Sequence, residues 1–151
     1  MRVVSNTSPI SNLAIIGRLD LLKQRYGTVR IPHAVAQELS ALSHPSAKAS
    51  IAAALAEGWL VVETVPSVLP PLPFPLDIGE TEAIGLALGN RVDVLLMDEK
   101  RGREAARRNG LAVGGVLGEL LHARPGRRDS QLARRNQAPA LRSWLLRGRG
   151  D

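Results

Sequence analysis

Short apolar runs alternate with segments of helical periodicity along residues 1–123. Branched and apolar residues bounded by Gly, Pro or polar positions predict strands at residues 2–4, 28–31, 59–64 and 92–97. A further brief strand is expected within residues 110–115. Apolar residues repeating in steps of three and four predict helices at 10–17, 19–26, 33–42, 47–57, 79–90, 100–109 and 116–122.

This alternation of strands and helices is typical of an α/β protein whose parallel sheet is covered on both faces. Right-handed crossovers then place the carboxyl ends of the strands along one edge of the sheet. Ligands of such proteins usually bind at that edge. Polar residues directly after strands or at the starts of helices are therefore the first candidates for a site.

Five prolines lie within residues 66–75, which predicts a stiff extended connector. It does not separate two domains, because the part that follows is too short to fold alone. The chain of 151 residues is 44% hydrophobic, which is typical of one folded domain of ordinary size. We expect this domain to span residues 1–123.

The composition excludes several classes of protein. The chain has no cysteine, so disulfides, thiol nucleophiles and thiolate metal sites are absent. No apolar run approaches the roughly 20 residues that a membrane span requires. The N-terminal residues predict a strand and lack the pattern of a signal peptide. A cytoplasmic protein is the resulting expectation.

The net charge of +6 is unevenly distributed. Residues 1–123 carry 12 basic and 12 acidic residues, whereas residues 124–151 carry eight arginines and two aspartates. A neutral domain with an Arg-rich C-terminal extension, helical or partly disordered, favours an anionic partner such as RNA or an acidic protein. The alternative is a solvated, frayed C-terminus without a ligand.

Four positions bring polar groups to the predicted edge. The first is a polar triplet after strand one, the second an acid in the third helix, and the others are acidic pairs before and after the last long strand. They are Asn6 with Thr7 and Ser8, Glu38, Glu80 with Glu82, and Asp98 with Glu99. Each residue alone also has a structural interpretation: a turn, a helix cap, a favourable charge at a helix start, or a solvated side chain.

The available side chains restrict the chemistry of such a site. With no cysteine and only three histidines, the ligands would be oxygens, which suit Mg²⁺ or Mn²⁺ rather than Zn²⁺. Clustered carboxylates cannot all ionise without a compensating cation. One or two such ions activate water for in-line displacement at a phosphate.

A helical wheel separates the two glutamates that open the helix at residues 79–90. Glu80 shares a face with Ile84, Ala87 and Leu88, which must turn toward the sheet. Glu82 lies about 160° away from Glu80 on this wheel. Glu80 therefore points more naturally into an edge site, while the poorly defined first turn leaves Glu82 as a second candidate.

The order of these motifs resembles the PIN-domain family, within it the small prokaryotic group related to VapC-like ribonucleases of type II toxin–antitoxin pairs. The resemblance rests on VVSNTSPI, IPHAVAQEL, DIGETEAIGLAL and VLLMDEKRGREAARRNGLAVGGVLGELLHA, and covers most of residues 2–123. It implies a three-layer α/β/α sandwich and cleavage of single-stranded RNA that depends on Mg²⁺ or Mn²⁺. It also implies a homodimer inhibited by an antitoxin protein.

The resemblance assigns roles to individual residues. The acidic set of the family falls on Asn6, Glu38, Glu80 or Glu82, and Asp98. Metal ligands would come from Asn6, Glu80, Glu82 and Asp98, with Glu99 in support. Ser8, Arg101 and Arg103 would hold phosphates of RNA, although both arginines also suit a solvated helix face.

Asn6 departs from the general pattern of the family, which has Asp at this position. An amide oxygen can ligate a metal but brings no charge, so metal affinity should fall. The leading hypothesis is a metal-dependent endoribonuclease in which metal-activated water attacks the phosphate. The alternative is a weakened PIN-like protein that binds nucleic acid or an antitoxin without cleaving.

Overall fold

The computed structural model describes residues 1–66 and 71–123. In chain order its elements are β1 (Val3–Ser5), α1 (Thr7–Ile15), α2 (Asp20–Tyr26), β2 (Val29–Pro32), α3 (His33–Ser40), α4 (Pro45–Glu57), β3 (Leu60–Glu63), α5 (Ile78–Asn90), β4 (Val94–Leu96), α6 (Lys100–Arg108), β5 (Val113–Gly114) and α7 (Val116–His122). Residues 1–116 form one compact unit, and a second unit begins at residue 117.

The strands form a parallel sheet in the order β3-β2-β1-β4-β5. In the register of the central pair, Ser5 lies opposite Leu96, and the N–H of Asn6 donates to the carbonyl of Leu96 at 2.9 Å. The fold is the predicted three-layer α/β/α sandwich with a parallel central sheet.

The strand order reverses between β1 and β4. From β1 the chain proceeds to β2 and β3 on one side, whereas β4 leads to β5 on the other. A reversal of this kind opens a crevice at the carboxyl ends of the two central strands, which is the usual ligand position in open α/β sheets. Asn6 directly follows β1, and Asp98 follows β4 by two positions.

Local sequence signals set the ends of α4 and α5. Asp77 caps α5, because its Oδ1 accepts the N–H of Glu80 at 2.8 Å. His44 caps α4 through Nδ1, which accepts the N–H of Ala47 at 3.0 Å. Gly58 then ends α4 at φ 86°, a conformation that L-residues rarely adopt.

The core consists of aliphatic side chains between the sheet and its helices. α5 contacts β1, β2 and β4, and packs against α3. Ile84, Leu86, Leu95 and Met97 are at most 1% exposed in this core. Because α5 is fixed to the central strands by these side chains, its first turn is held beside the crevice.

The boundaries predicted from periodicity agree with the observed elements to within three residues. The largest differences are the helix predicted at 10–17, which spans Thr7–Ile15, and the brief strand expected within 110–115, of which only Val113–Gly114 is strand. The predicted connector at 66–75 includes residues 67–70, which lie outside the described residues, as does the predicted extension at 124–151. Within residues 1–66 and 71–123, no helix is long and apolar enough to cross a membrane.

Truncation of the core side chain that ties α5 to the sheet should destabilise the fold. Ile84 is fully buried, so Ile84→Ala should lower the free energy of unfolding by about 2–5 kcal/mol. The control Leu55→Ala, at a side chain 39% exposed, should lower it by less than about 1 kcal/mol. Urea unfolding followed by circular dichroism measures both; equal losses would contradict this assignment of the core.

Candidate active site

Asn6 directly follows β1, where the strand order reverses. The residue is 4% exposed, and its side-chain Oδ1 is buried with no hydrogen-bond partner among the described residues. Its backbone is fixed on both sides, because its N–H donates to Leu96 and its carbonyl accepts from Ser5 Oγ at 2.9 Å. A buried acceptor without a donor is costly unless a ligand or water satisfies it.

The first turn of α1 holds two carboxylates from distant parts of the chain. Thr7 Oγ1 donates a hydrogen bond to Glu38 Oε2 in α3. Ser8 Oγ donates to Glu99 Oε1, just before α6, at 3.2 Å. These two contacts bring α1, α3 and the end of β4 together around the crevice.

Glu80 is the buried acid of the site, at 7% exposure. Burial raises the pKa of its carboxyl above the ordinary 4.5, and the negative charges of Asp77, Glu99 and Glu38 raise it further, against a backbone hydrogen bond at Asp77 that lowers it. The carboxylates of Glu38 and Glu99, both held by α1, therefore lie near enough to Glu80 for their charges to act on its pKa.

Two glycines leave room for these acids. A Cβ at Gly79 would lie 2.5 Å from Glu38 Oε1, a distance that real side chains do not tolerate. A Cβ at Gly102 would meet the sulfur of Met97 and lie 3.4 Å from Glu80 Oε1. Glycine at both positions thus leaves the ends of the Glu38 and Met97 side chains in their observed places.

Asp98 lies at the same edge and is half-buried. Its Oδ1 accepts the N–H of Val116 at 3.0 Å, and a Cβ at Gly115 would lie 2.5 Å from that oxygen. The interpretation of Asp98 as a cap for α6 does not hold, because the N-cap residue is Glu99, without a side-chain capping bond. Asp98 is fixed instead by the loop that follows β5.

The remaining predicted residues lie around this centre. Glu82 points to the start of α3, where its Oε1 accepts the N–H of Ala34 at 3.1 Å. Arg103 donates to the carbonyls of Met97 at 2.8 Å and Gly114 at 3.2 Å, so it joins the ends of β4 and β5. Arg101 is exposed and lies over the ring of Phe74.

The side chains of the candidate site supply oxygen atoms, which are the ligands that a hard divalent cation prefers. In residues 1–66 and 71–123, no three His, Asp or Glu side chains are grouped so that they could together hold a metal ion. Mg²⁺ does not require such a cage, because it keeps several waters and uses one or two carboxylates. The buried Oδ1 of Asn6 and the carboxylate of Glu80 are oxygen atoms whose electrostatic cost a bound cation would relieve.

Sequence reasoning missed several contributors to the site. Asp77 is recognisable as a cap, since Asp at this position precedes Glu80 by three residues, as in a capping box. The link between Thr7 and Glu38 joins residues 31 positions apart, and no local pattern predicts it. Phe74 lies in the Pro-rich connector, where periodicity gives no information.

The strand order reverses between β1 and β4, and this switch point of the parallel sheet carries an amide and several carboxylates. The chain is therefore an α/β/α protein with an acidic site at the edge of its sheet. A family model described as PIN domain matches residues 2–132, and the chain belongs to this family. Among solved structures, it is similar to a PilT N-terminus domain protein from the hyperthermophilic archaeon Sulfolobus solfataricus P2, with 21% identity and a TM-score of 0.55 over 80% of this chain and 91% of that one. A comparison with curated proteins gives no significant match. The PIN fold is generally nuclease-like and divalent-metal dependent.

Neutralising the buried acid should stabilise the protein at neutral pH. Because the pKa of Glu80 is raised by folding, its charge costs stability that disappears as pH falls below the unfolded value of 4.5. Glu80→Gln should therefore melt at a higher temperature than the wild type at pH 7, and the two should converge near pH 4. Thermal unfolding in EDTA across this pH range measures the difference.

The matched control is Glu57→Gln, which removes an exposed carboxylate paired with Lys23 at 3.5 Å. Exposed pairs of this kind contribute little, so its melting temperature should stay close to that of the wild type at every pH. A Glu80→Gln protein that is less stable than the wild type at pH 7 would contradict the electrostatic account of Glu80.

Proposed function

We propose that this PIN-domain protein is a divalent-metal-dependent endoribonuclease that cleaves single-stranded RNA. The observation that supports it most is the burial of Glu80, whose pKa is raised further by the charges of other carboxylates. The buried, unsatisfied Oδ1 of Asn6, at the end of β1, adds to this support. An acidic crevice of this kind repels phosphates unless a cation neutralises it. With a cation, the same crevice attracts them.

Glu80 and Asn6 would hold Mg²⁺ or Mn²⁺, with Glu38, Asp98 and Glu99 close to the crevice as further carboxylates. When bound, the metal supplies charge stabilisation at the phosphate and lowers the pKa of water. Glu82 ranks below Glu80 as a ligand, because its carboxylate already accepts the N–H of Ala34.

The side chains of the chain itself orient the site. Thr7 donates a hydrogen bond to the carboxylate of Glu38, and Ser8 donates one to the carboxylate of Glu99. These bonds fix the position of both carboxylates relative to α1. Asp98 is held by the N–H of Val116. A carboxylate held in this way can accept a proton from the attacking water. The hydrogen bonds that support the carboxylate determine where it lies.

One observation favours a second function. Asn6 supplies a neutral oxygen at a position where the resemblance expects a carboxylate, which weakens attraction for a cation. The protein would then bind RNA or a protein partner without efficient cleavage. The resemblance also supports an antitoxin partner and a homodimer, and the composition favours a cytoplasmic location; all three stay predictions.

A ribonuclease assay on single-stranded RNA tests the leading proposal. The wild type should cleave in Mg²⁺ or Mn²⁺ and not in EDTA, while Glu80→Gln and Asp98→Asn should each lose about 100-fold or more in rate. Glu57→Gln, at an exposed carboxylate, is the control and should cleave as the wild type does. Cleavage that persists in EDTA and in both site variants would refute the proposal.

Metal binding separates the two functions without relying on cleavage. Because Asp adds a negative charge to the buried position of Asn6, Asn6→Asp should bind Mn²⁺ more tightly by about tenfold or more, measured by isothermal titration calorimetry. Binding to the wild type supports the nuclease. Binding to Asn6→Asp alone supports the weakened form, and binding to neither contradicts a metal site at this edge.

A further inference from the structure

α6 concentrates the positive charge of residues 1–123. Its nine residues, Lys100–Arg108, contain five of the 12 basic residues in residues 1–123 and one acid, Glu104. The other residues of this range carry seven basic and 11 acidic side chains. The apparent neutrality of the domain therefore hides a basic helix beside an acidic remainder.

Phe74 organises one face of this helix. The guanidinium carbon of Arg101 lies 4.7 Å from the centre of the Phe74 ring, and that of Arg108 lies 5.9 Å from it. Both arginines are exposed, whereas the half-buried Phe74 packs against the core. The arginines are seven residues apart, so they lie on the same face about 10 Å apart along the axis.

Arg101 forms no salt bridge with any residue in 1–66 or 71–123, so no carboxylate in these ranges neutralises its charge. Arg108, in contrast, pairs with Glu104 at 2.9 Å. A guanidinium stacked over a ring keeps its N–H groups for a phosphate and presents its plane to a base. Aromatic rings and guanidinium planes are the surfaces on which unpaired bases stack.

We propose that Phe74, Arg101 and Arg108 form a binding surface for single-stranded RNA, here called the α6 platform. The α6 platform adjoins the candidate active site along the chain, because α6 begins directly after Asp98 and Glu99. Phosphate contacts there offset the repulsion of the strand by the acidic crevice. The proposal rests on the proposed function only for the choice of RNA as the ligand.

The experiment measures binding without cleavage. Fluorescence anisotropy of the full chain in EDTA, with a labelled unstructured ten-nucleotide RNA, is recorded at several salt concentrations. Arg101→Gln should weaken binding by about fivefold or more and reduce the salt slope by about 0.7. Arg101→Lys and Phe74→Leu should each weaken it more than about twofold, because stacking is lost.

Arg25→Gln is the matched control, because Arg25 also lies over an aromatic ring, Tyr26, at 5.0 Å in α2. It makes the same change in charge and should stay within about twofold of the wild type. Thermal unfolding identifies any variant that has lost its fold, and Arg101→Lys tests the stacking without altering Phe74.

Three results would overturn the α6 platform: equal losses in Arg101→Gln and Arg25→Gln, wild-type binding by both Arg101→Lys and Phe74→Leu, or a preference for duplex RNA. The proposed function fails separately. If the platform variants lose binding but the wild type cleaves no RNA in Mg²⁺ or Mn²⁺, the platform stands and the nuclease does not. If the wild type cleaves RNA and the platform variants bind RNA as the wild type does, the nuclease stands and the α6 platform does not.

Discussion

Repulsion among the carboxylates around Glu80 is the interaction on which the candidate site depends. Burial alone makes the charged form of Glu80 unfavourable, and Asp77, Glu99 and Glu38 add to that cost. The apolar cluster to which α5 contributes Ala83, Ile84, Leu86 and Ala87 consists of hydrophobic side chains and does not include Glu80. An unfavourable charge that a fold retains at a ligand crevice is typical of a functional site.

The fold supplies this constraint through its strand order. Reversal between β1 and β4 leaves a crevice between two strand ends, and the first turn of α5 is held beside it by buried aliphatic side chains. Gly79 and Gly102 leave room for the ends of the Glu38 and Met97 side chains. α6 then provides opposite charge next to the crevice. The acidic site and the basic helix are complementary in the proposed function, since one would repel an RNA strand and the other would retain it.

Much of the fold could be predicted from periodicity, because strands and helices of this domain carry distinct apolar patterns. The wheel also indicated Glu80 over Glu82 as the buried acid, since the apolar face of α5 sets its direction. Contacts between distant elements could not be predicted in this way. Asp98 accepts the backbone N–H of Val116, and the guanidinium of Arg103 donates to backbone carbonyls. Both depend on loop positions that no local pattern specifies.

The pKa of Glu80 tests the central claim most directly. Its side-chain carboxyl can be titrated by carbon-13 NMR in the metal-free protein and again in Mg²⁺. The account predicts a pKa above the ordinary 4.5 without metal, and a marked decrease when Mg²⁺ is added, because a bound cation favours the charged form. A carboxyl that titrates at its ordinary value and ignores Mg²⁺ would contradict a metal site built around Glu80.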